Sequence, residues 1–183
     1  AAGRHADSAA QLRARTLGPD ALATLDADVL RATVAEARGE NQQAIALIDD
    51  AVRRLRAAPR VDEHRLAAAL DHQSRILELT GDRERVDALI DEALALRERA
   101  RDSATRAGLP NALNSRAVSL IYAGRLEEAD AVLRRAIASE AALHGTATPN
   151  HAEYRRALAE LLAQRGRHAE ADTLMRAALD ALE

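Results

Sequence analysis

The six histidines are the side chains of this sequence best suited to holding a metal ion. His64 and His72 are eight residues apart, which places them near one face of a helix and two turns from each other. That separation is too large for one shared ion unless other elements supply ligands, and zinc sites normally have closer ligand spacing. Histidines on a polar helix face explain the pattern better, so we expect no metal site.

Carboxylate pairs are the next candidates for chemistry. Asp26 and Asp28 flank one residue, and Asp49 directly precedes Asp50, but neither pair lies in a glycine-containing calcium loop. They are typical of a solvated helix face. Acidic neighbours also surround the arginines that could attract phosphates, so we expect a surface of mixed charge there. These arginines are Arg53, Arg54, Arg56 and Arg60.

Composition and motifs argue against several classes of protein. The sequence contains no GxSxG, Walker or HExxH motif and no glycine-rich phosphate loop. Cysteine, tryptophan and phenylalanine are absent, and the net charge is −3, which disfavours thiol chemistry and nucleic-acid binding. No long apolar run or signal peptide is present. We expect no catalytic residue, no cofactor, no nucleic-acid or membrane partner, and a cytoplasmic location.

The elements that carry these side chains repeat along the chain. Four similar segments begin at Gly39, Gly81, Gly124 and Gly166, at spacings of 42, 43 and 42 residues. Each segment has Ala or Val five residues after the glycine, Ile, Leu or Met nine after it, and Ala twelve after it. These positions share one face of a helix. A fixed period of this length is the signature of a repeat architecture.

Apolar residues also recur at helical spacing before each glycine, so each unit is predicted to be a helix, a glycine turn and a second helix. Glycine suits the turn because it tolerates positive φ. In the unit that turns at Gly124, the small residues Ala129 and Ala136 would let a neighbouring helix approach closely. We predict that both are buried. The preceding helix carries Leu113, Ala117, Leu120 and Ile121.

This pattern resembles the tetratricopeptide repeat (TPR), with a small residue in the first helix, glycine at the turn and Ala-x3-Leu-x2-Ala in the second helix. The ordinary repeat has ~34 residues, and these are about eight longer. Long repeats with LNxLA in the first helix and LG and Pro in the loop are similar to the kinesin-light-chain type. Leu113-Asn114-Ser115-Arg116-Ala117 matches the first feature in part, with Arg116 in place of Leu. Leu17-Gly18-Pro19-Asp20 and residues 143–149 match the second.

The chain departs from the TPR pattern in its aromatic residues, because only Tyr122 and Tyr154 are present. HEAT-like repeats have a similar period, but the glycine turn and the alanine spacing favour the TPR. The resemblance implies an all-α fold, a right-handed α-solenoid of antiparallel helix-turn-helix repeats.

We predict one repeat domain over residues 1–183. Residues 1–16 are interpreted as the C-terminal half of a truncated repeat, because Gly3-Arg4-His5-Ala6 resembles the segment that begins at Gly166. The chain is therefore expected to be a fragment of a larger bacterial signalling or regulatory protein. The oligomeric state stays open, with self-association through the truncated helix as one option. The helical hairpins are predicted over 20–57, 62–106, 110–143 and 149–183. The second helix of the second hairpin is expected to run over about 83–105, and Thr148 is the predicted N-cap of the helix that begins at Pro149.

The resemblance also indicates where a partner would bind. In TPR arrays the first helices line a concave groove, at positions thirteen, ten, nine, six, three and two residues before the turn glycine. Asparagine there can bind a peptide backbone, and arginine can pair with carboxylates or phosphates. For each residue, the alternative is a polar side chain that only keeps the surface hydrated. The predicted peptide-binding groove comprises Asp71, His72, Arg75, Asn111, Asn114, Tyr122, Arg156 and Glu160.

We therefore predict a non-catalytic protein–protein interaction module, a scaffold that binds a peptide or protein segment on its concave face. The alternative is a ligand-sensing or regulatory segment of a bacterial serine/threonine kinase or transcription regulator, because the sequence resembles the TPR regions attached to such proteins.

Overall fold

The computed structural model describes residues 2–18 and 20–179, and most of these residues are helical. Within the described residues there is no strand, so the all-α prediction is confirmed. The α-helices are α1 (Ala2–Leu17), α2 (Leu22–Ala37), α3 (Asn41–Ala57), α4 (Glu63–Leu77), α5 (Arg83–Arg99), α6 (Ser103–Ala107), α7 (Leu109–Tyr122), α8 (Leu126–His144), α9 (Pro149–Gln164) and α10 (His168–Leu179), and a 3₁₀ turn at Glu78–Thr80 follows α4.

The chain forms two compact units, which we call the N-terminal unit (Ala1–Arg99) and the C-terminal unit (Ala100–Glu183). In the N-terminal unit each helix from α1 to α5 packs against the next one in sequence. In the C-terminal unit α7 packs against α8, α8 against α9, and α9 against α10. The hairpins that turn at the four repeat glycines are α2–α3, α4–α5, α7–α8 and α9–α10.

The repeat glycines are required by the backbone conformation of the turns. Gly39, Gly124 and Gly166 have φ of +74°, +73° and +76°, and an added Cβ would meet nothing within 4 Å. The constraint is therefore conformational, not steric crowding. Two hydrogen bonds close each of these turns in the Schellman pattern; at the first, Gly39 N–H donates to the Glu36 carbonyl and Glu40 N–H to the Ala35 carbonyl.

The small residues of the repeat form the helix contacts. Ala129 and Ala136 have no exposed surface, which confirms the predicted burial, and Leu133 between them is equally buried. The corresponding Ala44 and Ala51 of the N-terminal unit are also fully buried. Because these side chains end at Cβ, α3 and α8 can approach their neighbours closely along this face.

The second helix of the second hairpin is shorter than the sequence indicated. We predicted one helix that continues to about residue 105, but α5 ends at Arg99 and α6 begins at Ser103. Asp102 starts the new helix, because its Oδ1 accepts from Thr105 N–H at 2.7 Å as an N-cap. The basic residues Arg97 and Arg99 therefore lie in the last turn of α5, where the helix dipole favours them.

Parts of the predicted organisation lie outside the described residues. These are residue 1 of the truncated repeat, Pro19 in the first loop and residues 180–183 of the last hairpin. The truncated repeat is otherwise represented by α1, on which Leu12 and Leu17 are exposed. In the last loop Thr148 caps α9, as predicted, by accepting from His151 N–H at 3.0 Å, and Pro149 occupies the first turn.

Candidate interaction surface

The helices that precede the turn glycines carry all eight predicted groove residues. In the N-terminal unit, the predicted groove positions lie two, three, six, nine, ten and thirteen residues before Gly39 and Gly81. They fall on α2, on α4 and on the 3₁₀ turn after α4, and we call the surface that they form the first-helix face of this unit. The first-helix face of the C-terminal unit has the same positions before Gly124 and Gly166, on α7 and α9.

Asp71 holds α4 to α5. Arg97 of α5 is a buried cation, and its guanidinium donates to Asp71 Oδ1 at 3.0 Å and also to Oδ2. Burial raises the pKa of the Asp71 carboxyl, and the Arg97 charge and hydrogen bonds oppose that shift. Asp71 therefore satisfies a buried arginine of its own unit.

Arg75 joins α4 to α2. Its guanidinium donates to the Glu36 carboxylate, and Nη2 lies 3.3 Å from His72 Nδ1. Burial, and then the Arg75 charge, lower the pKa of the His72 imidazole, which favours its neutral form at pH 7.

A second ion pair joins the same two helices. Arg65 Nε donates to Asp26 Oδ1 at 3.0 Å, and its Nη1 donates to Asp62 Oδ2 at 2.6 Å. A cavity of about 240 Å³ opens at this position between α2 and α4. It is lined by Asp26, Val29, Leu55, His64, Arg65, Ala68, Ala69 and His72.

The C-terminal unit joins its first helices with a neutral hydrogen bond. Tyr154 of α9 is buried, and its hydroxyl donates to Asn111 Oδ1 on α7. Burial, with Glu140 and Glu153 nearby, raises the pKa of the Tyr154 phenol, so the hydroxyl keeps its proton and acts as the donor. Asn111, which was predicted to contact a peptide, also accepts a hydrogen bond from this buried tyrosine.

The other predicted residues of this unit differ in exposure. Asn114 is half-buried, and its Oδ1 is buried without a hydrogen-bond partner among the described residues. Tyr122, at the end of α7, is 69% exposed. Arg156 and Glu160 form an exposed ion pair one turn apart on α9. Of the eight residues, Tyr122 thus presents the largest accessible apolar surface.

Sequence analysis missed a cluster of buried polar side chains in the C-terminal unit. Glu140 of α8 accepts from the Thr148 hydroxyl at 2.6 Å, and that hydroxyl oxygen caps α9. His151 is 96% buried, and its Nδ1 has no partner among the described residues. Burial and Arg155 lower the pKa of the His151 imidazole, while Glu140 opposes the shift. The Thr148 cap was predicted, but no local pattern indicates the buried glutamate.

Asp26 and Glu36 were missed as residues of the first-helix face, although a signal existed. They lie thirteen and three residues before Gly39, so the rule applied to the later hairpins would have found them. Asp26 was considered only as half of a carboxylate pair. Its partner Arg65 lies outside the six groove positions, and only the structure brings the two together.

The carboxylate pairs and the clustered arginines largely bind each other. Arg54 Nη1 lies 2.9 Å from Asp28 Oδ2 and 3.1 Å from Asp50 Oδ2. Asp49 accepts from Arg85 Nη2 at 2.8 Å with both oxygens. This is the surface of mixed charge expected from the sequence.

Two searches of the described part of the chain gave negative results. No group of three or more His, Cys, Asp or Glu side chains there is placed to hold a metal ion. No helix in residues 2–18 and 20–179 is long and apolar enough to cross a membrane.

Comparison with known proteins identifies the repeat. Residues 108–183 match the family model described as tetratricopeptide repeat. This part of the chain is therefore similar to the TPR in sequence. No curated protein matches the chain by sequence.

Solved structures extend this TPR fold to nearly the whole chain. A putative kinesin light chain with TPR-like repeats from Podosopora anserina is 19% identical, with a TM-score of 0.77 over 98% of this chain and 84% of that one. BtubC (BKLC) from P. vanneervenii is 16% identical, with a TM-score of 0.82 over 99% and 70%. PlcR from Bacillus thuringiensis, in complex with the peptide PapR7 and DNA, is 11% identical, with a TM-score of 0.67 over 98% and 65%. The predicted fold of TPR-like helical hairpins, similar to the kinesin-light-chain type, is confirmed.

Proposed function

We propose that the chain is a non-catalytic protein-interaction module whose first-helix faces bind an extended peptide or protein segment. The observation that carries this proposal is the position of four of the nine large apolar side chains that are exposed in the described residues. Leu30 and Leu79 in the N-terminal unit, and Val118 and Tyr122 in the C-terminal unit, are 54%, 58%, 36% and 69% exposed. All four occupy positions of the first-helix faces.

Exposed apolar side chains among polar ones are typical of interaction sites. Tyrosine in particular supplies a large contact area with a polar tip, which suits the centre of an interface. Around Tyr122, Asn114 and the Arg156–Glu160 pair would contribute polar contacts. In the N-terminal unit, His72 and Arg75 would border the bound segment, and Asp71 would support this surface through Arg97. Asn111 would position α7 through Tyr154.

The structural neighbours support the class of partner. PlcR, which shares this fold at low identity, was solved with a bound peptide. A peptide or protein segment also fits the mixed charge of the first-helix faces better than a nucleic acid does, because nucleic-acid sites need a strongly basic surface.

The test is selection of peptides from a random displayed library on the chain, followed by binding measurements with single variants. Leu30→Ala should weaken the peptides that bind the N-terminal unit, and Tyr122→Ala should weaken those that bind the C-terminal unit, each by about tenfold, or ~1.4 kcal/mol. The matched control is Leu143→Ala, which removes an equally apolar side chain, 36% exposed, at the end of α8 and off both faces. Binding that survives both face variants but is lost in the control would move the site elsewhere.

A second candidate is a peptide-responsive regulatory segment of a larger protein. It is favoured by PlcR, since the chain matches only 65% of that protein and the PlcR complex also contains DNA. Sequencing the complete gene would decide between the two: a kinase or DNA-binding domain in the same product supports regulation, and its absence supports a scaffold.

A further inference from the structure

The cavity between α2 and α4 has the size of one side chain. Its volume is about 240 Å³, whereas sites for small molecules usually have roughly 300–1,000 Å³. Val29, Leu55, Ala68 and Ala69 form its apolar lining. The cavity is thus smaller than the usual site for a drug-sized ligand, and its apolar side has room for a short aliphatic group.

The charges around this cavity are already neutralised within the protein. Arg65 is bonded to Asp26 and Asp62, and Arg75 is bonded to Glu36. A carboxylate or phosphate from a partner would have to displace one of these carboxylates. Arg75, whose guanidinium was predicted to bind a partner, therefore has an internal partner in Glu36.

The same ion pairs connect the two helices that border the cavity. Arg65–Asp26 and Arg75–Glu36 each connect α4 to α2, and the arginines are ten residues apart on α4, so the pairs lie roughly 15 Å apart along the helix. Val29 and Ala68 line the cavity near the first pair, and His72 separates it from the second. Both pairs therefore link the two helices between which the cavity lies.

We propose that this cavity binds one uncharged aliphatic side chain, of leucine or isoleucine size, from an extended partner segment, and that the ion pairs Arg65–Asp26 and Arg75–Glu36 reject acidic side chains because they leave no free cation there among the described residues. This inference rests on the proposed function and specifies the partner's chemistry at the N-terminal unit. Burying an aliphatic side chain against Val29 and Ala68 is favourable because it removes apolar surface from water.

The direct test is a ¹⁵N–¹H NMR titration of the full 183-residue chain with two blocked amino acids, N-acetyl-leucine methylamide and N-acetyl-aspartate methylamide. The leucine probe should produce saturable amide shifts confined to α2 and α4 near Val29, Ala68 and His72, with a roughly millimolar Kd. Its Kd should change less than about twofold with added salt, since no net charge is recognised. Saturable shifts at the same amides with the aspartate probe on the native chain would overturn the proposal.

A filled cavity supplies the second test. Ala68→Leu should occupy the cavity and weaken the leucine probe at least tenfold, or ~1.4 kcal/mol. The matched control is Ala95→Leu, because Ala95 is also a small residue of this unit but lines a different cavity, beside Leu66 and Leu96. Unchanged leucine binding in Ala68→Leu, with the thermal midpoint of the native chain, would contradict the assignment.

A conservative variant tests the role of the ion pairs even if Ala68→Leu does not fold. Glu36→Gln keeps the shape of the side chain but releases Arg75, so the aspartate probe should now bind at α4 with saturable shifts. No gain of aspartate binding would show that Glu36 is not what excludes acids. If neither probe binds here while selected peptides still require Leu30 and Tyr122, this inference fails and the proposed function stands.

Discussion

The two units connect their first helices with different chemistry. In the N-terminal unit α2 and α4 are joined by the ion pairs Arg65–Asp26 and Arg75–Glu36, and a cavity remains between them. In the C-terminal unit α7 and α9 are joined by the neutral Tyr154–Asn111 hydrogen bond. Asp26 and Asn111 occupy the same position, thirteen residues before their turn glycines. One register position can therefore serve either kind of bridge.

One buried position of the second helices varies even more in the chemistry of its side chain. Sixteen residues after the turn glycine stand Leu55, Arg97 and Glu140, and all three are at most 5% exposed. The leucine needs no partner, but Arg97 is paired with Asp71, and Glu140 accepts from Thr148. Because a buried charge is costly without a partner, each charged version depends on a residue of a neighbouring segment.

The largest expected effect breaks the buried pair of the N-terminal unit. Asp71→Asn should lower the free energy of unfolding by about 2 kcal/mol, less than the roughly 3–5 kcal/mol of a fully buried pair because Asp71 is partly exposed. The isosteric control Glu36→Gln weakens a more exposed pair and should cost less than about 1 kcal/mol. Urea unfolding followed by circular dichroism measures both, and equal losses would show that Arg97 does not depend on Asp71.

Overpacking tests a feature that both units share, the small buried alanines of their second helices. Ala129 is fully buried, so Ala129→Leu should destabilise the chain by ~1–3 kcal/mol. Ala138 lies on the same helix but is exposed, and Ala138→Leu should change stability by no more than about 0.5 kcal/mol. A neutral thermal midpoint for Ala129→Leu would mean that α8 does not pack through this face.

Removing the Tyr154 hydroxyl tests the hydrogen bond that joins α7 and α9 in the C-terminal unit. Tyr154→Phe keeps the buried ring but removes the donor to Asn111, which should cost about 1 kcal/mol. Asn111 is exposed, so water can replace the lost donor and limit the loss. Hydrogen exchange should report the weakening in α7 and α9. Weakening confined to α2 and α4 would contradict the separate bridges.

The smallest expected effect is a pH dependence of the free energy of unfolding. Each unit contributes one histidine to it, His72 in the N-terminal unit and His151 in the C-terminal unit. The pKa values of His151 and His72 are lowered in the folded chain, so below about pH 6.5 the unfolded chain takes up these protons first. Stability should therefore fall as the pH drops below that value and level off below the lowered folded-state pKa. His151→Gln should reduce this loss between pH 7.5 and 5.5.

His72→Gln separates the two units, since it should reduce the loss in the N-terminal unit only. If His151→Gln and His72→Gln both retain the full loss, the buried imidazoles are not its source.

The hairpins and their contacts could be predicted from the sequence because their causes are local. A glycine at positive φ ends one helix, and Ala129 and Ala136 fall on one face of the next by helical periodicity alone. The break after Arg99 was missed, although Asp102 is an N-cap residue type, because Leu96 and Arg97 continue an apparently helical pattern. A prediction from apolar periodicity alone continues the helix across such a break unless the N-cap residue is also considered.

The sequence by itself determined the repeat, the turns and which residues occupy each register position. The tertiary structure alone decided which side chains meet: Arg75 and Glu36 are 39 residues apart, and Tyr154 and Asn111 are 43 apart. Helical spacing states which way a side chain points along its own helix, but a hydrogen bond requires the separation of two helices to within a few tenths of an ångström. That separation follows from how Ala44, Ala129 and their neighbours pack, so the partners of Arg75 and Asn111 depend on the folded chain.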